Sequence, residues 1–188
     1  MKPIAIAAAF WADERRRFAV LFTAIAGGLL GFYYFPRGND SAVEHFTGEY
    51  LRAYTRMLSL VLAPFDPAVQ SHGNLVMGRF SMQIVKSCDA MEANILFAAA
   101  LLAVAAPWLR KAAALVVGLA ALVAFNLVRL VVLYWTGIYA APAFDFFHYD
   151  VWPLVMIAFA TVDFLFCARW VRQGAGSIPA LSARHAVR

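Results

Sequence analysis

Along most of this chain apolar residues neither alternate nor fall into narrow helical stripes; they run on. Apolar stretches cover approximately 18–35, 90–106, 112–135 and 151–170, each close to the ~20 residues that a bilayer-spanning helix needs. The pattern predicts an all-α polytopic membrane protein with about four transmembrane helices. The segment 36–88 between the first two spans is different. Over 43–62, Val43, Phe46, Tyr50, Tyr54, Met57, Val61 and Leu62 recur at helical spacing, opposite His45, Glu49, Arg52 and Arg56. That periodicity predicts an amphipathic helix lying on the outer leaflet, closed by Pro64 and Pro67. Over 74–85 the period changes to two, with Phe80, Met82 and Ile84 set against Ser81, Gln83 and Val85, and Gly78 marking a bend. A small hairpin is expected there. The tail 171–188, rich in Gly, Ser and Ala, is expected to be a disordered cytoplasmic end. No internal repeat or soluble second domain interrupts the pattern, so 1–188 is expected to be a single membrane domain.

Composition strengthens the membrane reading. Mean hydropathy is +0.70 and only 14% of residues are charged, which excludes an ordinary soluble domain. Arg15, Arg16 and Arg17 stand before the first apolar run as they do in a secretory signal, but no small-x-small cleavage site follows. The run is therefore expected to be a retained first span. With the N-terminus inside, the inner segments collect Lys2, Arg15, Arg16, Arg17, Arg110, Lys111, Arg169, Arg172, Arg184 and Arg188. The outer segments hold fewer cations and most of the carboxylates, as the positive-inside rule requires. Both termini are thus expected in the cytoplasm. The pI of 9.5 reflects anchoring charge, and no nucleic-acid motif accompanies it.

Against this background a few polar residues stand out. Cys88, in "SCDAMEA", opens the second span, whereas Cys167 lies near the inner end of the fourth. Most of a bilayer separates them, so they are not expected to form a disulfide. Cys167, in "FLFCARW", reads as a small buried hydrophobe. Arg129 sits within the third span, roughly 9 Å below Trp135 at 1.5 Å per residue, where an arginine needs water or a partner. Asn126 shares its face. Asp163 in the fourth span is a candidate ion-pair partner, at a depth roughly 9 Å greater. His148, in the aromatic loop "FFHYDVWP", has Asp145 and Asp150 near it in sequence, and either carboxylate is expected to be able to orient its ring. His45 and His72 read as surface residues. No HExxH or clustered His/carboxylate pattern appears, so no metal and no cofactor are expected.

The predicted topology gathers Cys88, Arg129 and His148 at the outer side of the membrane. With Asp89 capping the second span and Glu92 completing a capping box, Cys88 would lie just before a first helical turn whose free N–H groups favour a thiolate. A thiolate attacking a peptide carbonyl needs a proton shuttle and a positive partner, which His148 and Arg129 can supply.

In "SCDAMEA", "NLVRL" and "FFHYDVWP", in that order over roughly 74–170, the chain resembles the exosortase and archaeosortase family of membrane-embedded cysteine transpeptidases. Members often carry Gly two residues after the cysteine, where this chain has Ala90. The resemblance implies a catalytic set of Cys88, Arg129 and His148, supported by Asn126, Asp150, Asp89 and Glu92. It implies exported substrates bearing a C-terminal sorting signal of motif, hydrophobic helix and basic cluster. Cleavage would pass through a thioester on Cys88, resolved by an envelope amine or membrane lipid, at the outer face of a prokaryotic cytoplasmic membrane. A non-enzymatic four-helix scaffold, held by Arg129 and Asp163 with Cys88 incidental, is the alternative. A thiol oxidoreductase would need a second cysteine on the same face.

Overall fold

The computed structural model describes residues 13–35 and 42–173. Lys2, Arg37, Asp40, Arg184, Arg188 and the expected tail beyond Gln173 lie outside the described residues. The first helix, α1 (Glu14–Tyr34), starts where the Asp13 carboxylate accepts the N–H groups of Arg15 and Arg16. It is followed by α2 (Ala42–Leu62), strands β1 (Gln70–His72), β2 (Leu75–Met77) and β3 (Met82–Gln83), and a 3-10 turn at Lys86–Cys88. Three helices complete the chain: α3 (Met91–Ala103), α4 (Trp108–Tyr139) and α5 (Ala141–Gln173).

The protein is an all-α polytopic membrane protein: α1, α4 and α5 are long and apolar enough to cross a bilayer. The second expected span becomes the 13-residue α3, about 20 Å long, shorter than a hydrocarbon core of ~30 Å. The residues before Met91 are spent on the polar turn that carries Cys88, and Val104 in extended backbone ends the helix after Ala103. The third and fourth spans are longer than predicted. In particular, the aromatic stretch expected to be a loop is helical: α5 begins with a 3-10 turn at Ala141–Ala143 and passes through a π-helical turn at Phe147–Val151. Phe144 and Phe147 pack against the core and so hold the segment on the rod, where an aromatic loop is expected from the sequence.

The helices pack around α3. Helix α1 lies along α3, α3 packs against α4 and α5, and α4 packs against α5. Gly118 permits the α3–α4 approach, since a Cβ there would stand 2.1 Å from Cζ of Phe97. At one end, Glu14 pairs with Arg172 at 3.2 Å, close to Arg15 and Arg169. This is the basic end of the bundle.

The other end carries α2 and the sheet. Tyr54, Leu58 and Leu62, spaced by four, are fully buried together with Leu130, Leu133 and Tyr134 of α4, Val76 of β2 and Ile84 just after β3. Part of the apolar stripe of α2 therefore faces protein, while Phe46, Leu60 and Val61 remain exposed. The expected hairpin is a three-stranded antiparallel sheet in the order β1-β2-β3. Its first turn places Gly73 at φ 61, the first central position of a two-residue connection, where glycine is favoured.

Asp66 ties this cap to the bundle. One carboxylate oxygen accepts the Tyr134 hydroxyl at 2.5 Å and the Arg79 N–H at 2.9 Å, and the other accepts the Ala68 N–H at 3.2 Å. The Tyr134 and Arg79 bonds hold its carboxyl below the usual carboxylate range. The associated stability is complete above that range and is lost as pH falls through the lowered value. Thermal unfolding in detergent should show the wild type losing several degrees on acidification. Asp66→Asn should start lower and fall less; parallel profiles would contradict this role.

Candidate active site

Between the sheet and α3 the chain makes a compact turn, and Cys88, Asn126, Arg129 and His148 are arranged around it. Val85 C=O accepts the Cys88 N–H at 2.7 Å, closing the 3-10 turn. Asp89 follows, and Ala90 takes the left-handed conformation at φ 55 before α3 begins. This αL step reverses the chain so that Cys88 faces back toward α5 while Met91 continues into α3. It also gives a physical reason for glycine at this position, since an L-residue pays about 1–2 kcal/mol there.

The turn is pinned from four helices. Asn126 of α4, fully buried, donates to the Cys88 carbonyl at 2.9 Å. Tyr50 of α2 donates to the Asp89 carbonyl at 3.4 Å. Tyr33 of α1 donates to the Asp89 carboxylate at 2.6 Å, and the other Asp89 oxygen accepts the Met91 N–H at 2.8 Å. Burial raises the Asp89 carboxyl above its ordinary value, against the pull of these two bonds. Glu92 accepts the Tyr34 hydroxyl. The expected capping box is therefore not formed: Asp89 binds the N–H two residues on, and Glu92 is drawn sideways to α1.

His148 approaches from the π-helical turn of α5. Its Nε2 stands 3.9 Å from Cys88 Sγ, across 60 residues of sequence. Both residues are buried. The extra residue of a π-turn rotates the side chains that follow, and such turns recur at functional sites. The ring stacks on Phe144 at 5.7 Å and meets Tyr149 edge-on at 4.6 Å. Neither predicted carboxylate orients it. Nδ1 is buried without a partner, and Asp145 and Asp150 are exposed. The helical form of 141–151 sends both carboxylates outward, so aromatic packing takes over their expected role.

Arg129 lies under the turn, 5% exposed, and donates to Asn126 Oδ1 at 3.4 Å. It makes no ion pair with Asp163, which instead accepts the Cys167 thiol at 3.7 Å, so the alternative in which those two residues secure the packing loses its central contact. Cys167 is buried, as expected, and both cysteines are free.

Two clefts flank the turn. One, of about 270 Å³, is lined by Ser81, Gln83, Cys88, Phe144, His148 and Tyr149. The other, of about 220 Å³, opens between α3 and α5 and reaches Arg129, Asp89 and Glu92. A buried thiol facing an imidazole, with a cleft beside them and a guanidinium behind, has the parts of a cysteine nucleophile and its base.

The family model described as Transmembrane exosortase (Exosortase_EpsH) matches residues 1–166. The chain belongs to the transmembrane exosortase family. No curated protein and no solved structure matches it. Exosortases are membrane transpeptidases that act on the sorting signals of exported proteins, and the stretch shared with the family contains Cys88, Arg129 and His148. Sequence reasoning missed Tyr33, Tyr34 and Tyr50 around this exosortase turn. At the end of an apolar span, Tyr33 and Tyr34 look like interfacial belt residues, and no local pattern links them to Asp89 or Glu92. Replacing Ala90 by Gly should relieve the αL strain and raise unfolding stability by up to about 1 kcal/mol. Ala90→Val should lower stability by more than that; a stability gain from Val in thermal unfolding would overturn the strained-turn account.

Proposed function

We propose that this exosortase is a cysteine-dependent protease and transpeptidase that cleaves C-terminal sorting signals through a thioester on Cys88. The observation that carries the reading is the buried approach of Cys88 Sγ to His148 Nε2 at 3.9 Å, beside an open cleft. With the imidazole proton on Nδ1, Nε2 accepts the thiol proton and Sγ attacks the scissile carbonyl, whose π electrons move to oxygen. The oxyanion then collapses and expels the amine, which takes the proton from His148 and leaves an acyl group on Sγ. An amine or hydroxyl of an envelope acceptor adds to the thioester, giving its proton to His148, and Cys88 departs as the thiol when that proton returns. Arg129 offsets negative charge on the thiolate and the tetrahedral oxygen, and with Asn126 it holds the Cys88 carbonyl in place.

Charge placement supports an outward-facing site. Arg15, Arg169 and Arg172 gather at the end of the bundle opposite Cys88, and basic ends remain in the cytoplasm. The substrate is then an exported protein whose C-terminal motif reaches the outer face while its apolar helix stays in the bilayer.

Co-expression with an exported protein bearing a C-terminal motif, apolar helix and basic tail, followed by its size, tests the mechanism. Cys88→Ala should abolish processing, and His148→Ala should reduce it by about 100-fold or more. Arg129→Lys should be strongly impaired, because a compact ammonium does not reproduce the guanidinium geometry. Asp163→Asn should process normally. Full processing by Cys88→Ala would remove the nucleophile from the mechanism.

A further inference from the structure

One wall of the Cys88 cleft takes no part in this chemistry. Strand β3 is the last in the order β1-β2-β3, and among the described residues no strand pairs with its outer edge. The register determines which backbone groups are free. Met82 stands opposite Val76 and Gln83 opposite Leu75, while the Ile84 N–H donates to the Asn74 carbonyl at 2.8 Å. Hydrogen-bonded and non-hydrogen-bonded positions alternate in an antiparallel ladder. Met82 and Ile84 therefore turn their N–H and C=O groups toward β2, and Ser81 and Gln83 turn theirs away.

That free row belongs to the same 270 Å³ cleft as the nucleophile, since Ser81 and Gln83 line it together with Cys88 and His148. It ends where the Val85 carbonyl is taken by the Cys88 N–H, directly before the nucleophile. Ser81, Gln83 and Val85 are all exposed, and Met82 and Ile84 are buried. Backbone donors and acceptors repeating every second residue, roughly 6.6 Å apart, match another extended polypeptide and no smaller ligand. An open strand edge is also a feature that folds normally cover or charge, and this one carries neither Lys nor Pro at 81–85.

We propose that the outer edge of β3 is the substrate-docking strand: an extended segment of the exported protein, next to the scissile bond, pairs with the backbone of Ser81–Gln83 and is laid across Cys88. This inference rests on the transpeptidase reading above and adds the conformation in which substrate binds. Most of the binding then comes from main-chain hydrogen bonds, and selectivity comes from where alternate side chains fall against Phe80, Phe144 and Tyr149.

The decisive comparison is Gln83→Pro with Gln83→Ala in the co-expression assay. Proline removes the outward N–H at an edge position that tolerates it, and should cut processing on the order of tenfold; alanine removes only the side chain, keeps the N–H and should lose far less than proline. Labelling of Cys88 by a thiol reagent should be the same in both variants. Wild-type processing by Gln83→Pro overturns strand addition while leaving the cysteine mechanism intact, and equal losses in both variants overturn it in favour of a side-chain contact. Undiminished processing by Cys88→Ala overturns the underlying reading instead. If Gln83→Pro does not accumulate, a synthetic peptide ending at the mapped cleavage site of a processed protein, N-methylated one residue at a time, reads the same interaction. Sensitivity at alternate positions is expected, and uniform tolerance would overturn the proposal.

Discussion

The constraint on which the rest depends is the need to satisfy non-helical backbone between packed apolar helices. Where water is scarce, each unpaired N–H or C=O costs free energy that a helix would have avoided. The Lys86–Ala90 turn breaks the helical pattern there, and it persists because partners are supplied from outside it. Asn126 takes the Cys88 carbonyl, Tyr50 the Asp89 carbonyl, and Tyr33 the Asp89 carboxylate. Helix α3 is short for the same reason, since the residues that would have extended it form the turn.

The geometry of the thiol follows from that pinning. A cysteine in the middle of a helix would have its backbone committed and its side chain directed along one fixed face. In a turn closed by αL backbone at Ala90, with φ 55, Sγ points toward α5, and the π-turn there presents the His148 ring. The two local departures from α geometry face each other, each stabilised by its own surroundings: hydrogen bonds around the cysteine and aromatic rings around the histidine. Arg129 approaches from below, and its link through Asn126 makes guanidinium, amide and Cys88 carbonyl one connected set. Networks of this kind hold a reacting atom in place better than single contacts do.

The cap of α2 and three strands has a comparable logic. Asp66 gathers Tyr134 from α4, Arg79 from the connection between β2 and β3, and Ala68, so a short sheet with few ladder bonds acquires a fixed attachment to the 32-residue helix α4. That attachment keeps β3 beside Cys88. Without it, strands of two or three residues would have little reason to hold one position.

Much of this was legible in the residues themselves. Long apolar runs dictate helices, because lipid offers no partner to a free backbone; Arg129 and Asn126 were conspicuous because polar groups in such runs need a reason to be there, and Cys88 and His148 because the predicted topology brings them to the same side. The period-two segment revealed a sheet, though not its first strand, whose short polar "QSH" carries no alternation of apolar residues. Other features were decided only by tertiary packing. Whether Arg129 meets Asp163 or Asn126, whether a carboxylate or an aromatic ring holds His148, and which face of α2 is buried depend on contacts between residues dozens of positions apart. Local spacing constrains neighbours within about one helical turn. The sequence by itself therefore determined a membrane bundle and marked out its unusual polar residues, while the fold alone decided how they meet, since burial and hydrogen bonding select among partners that only folding brings within reach.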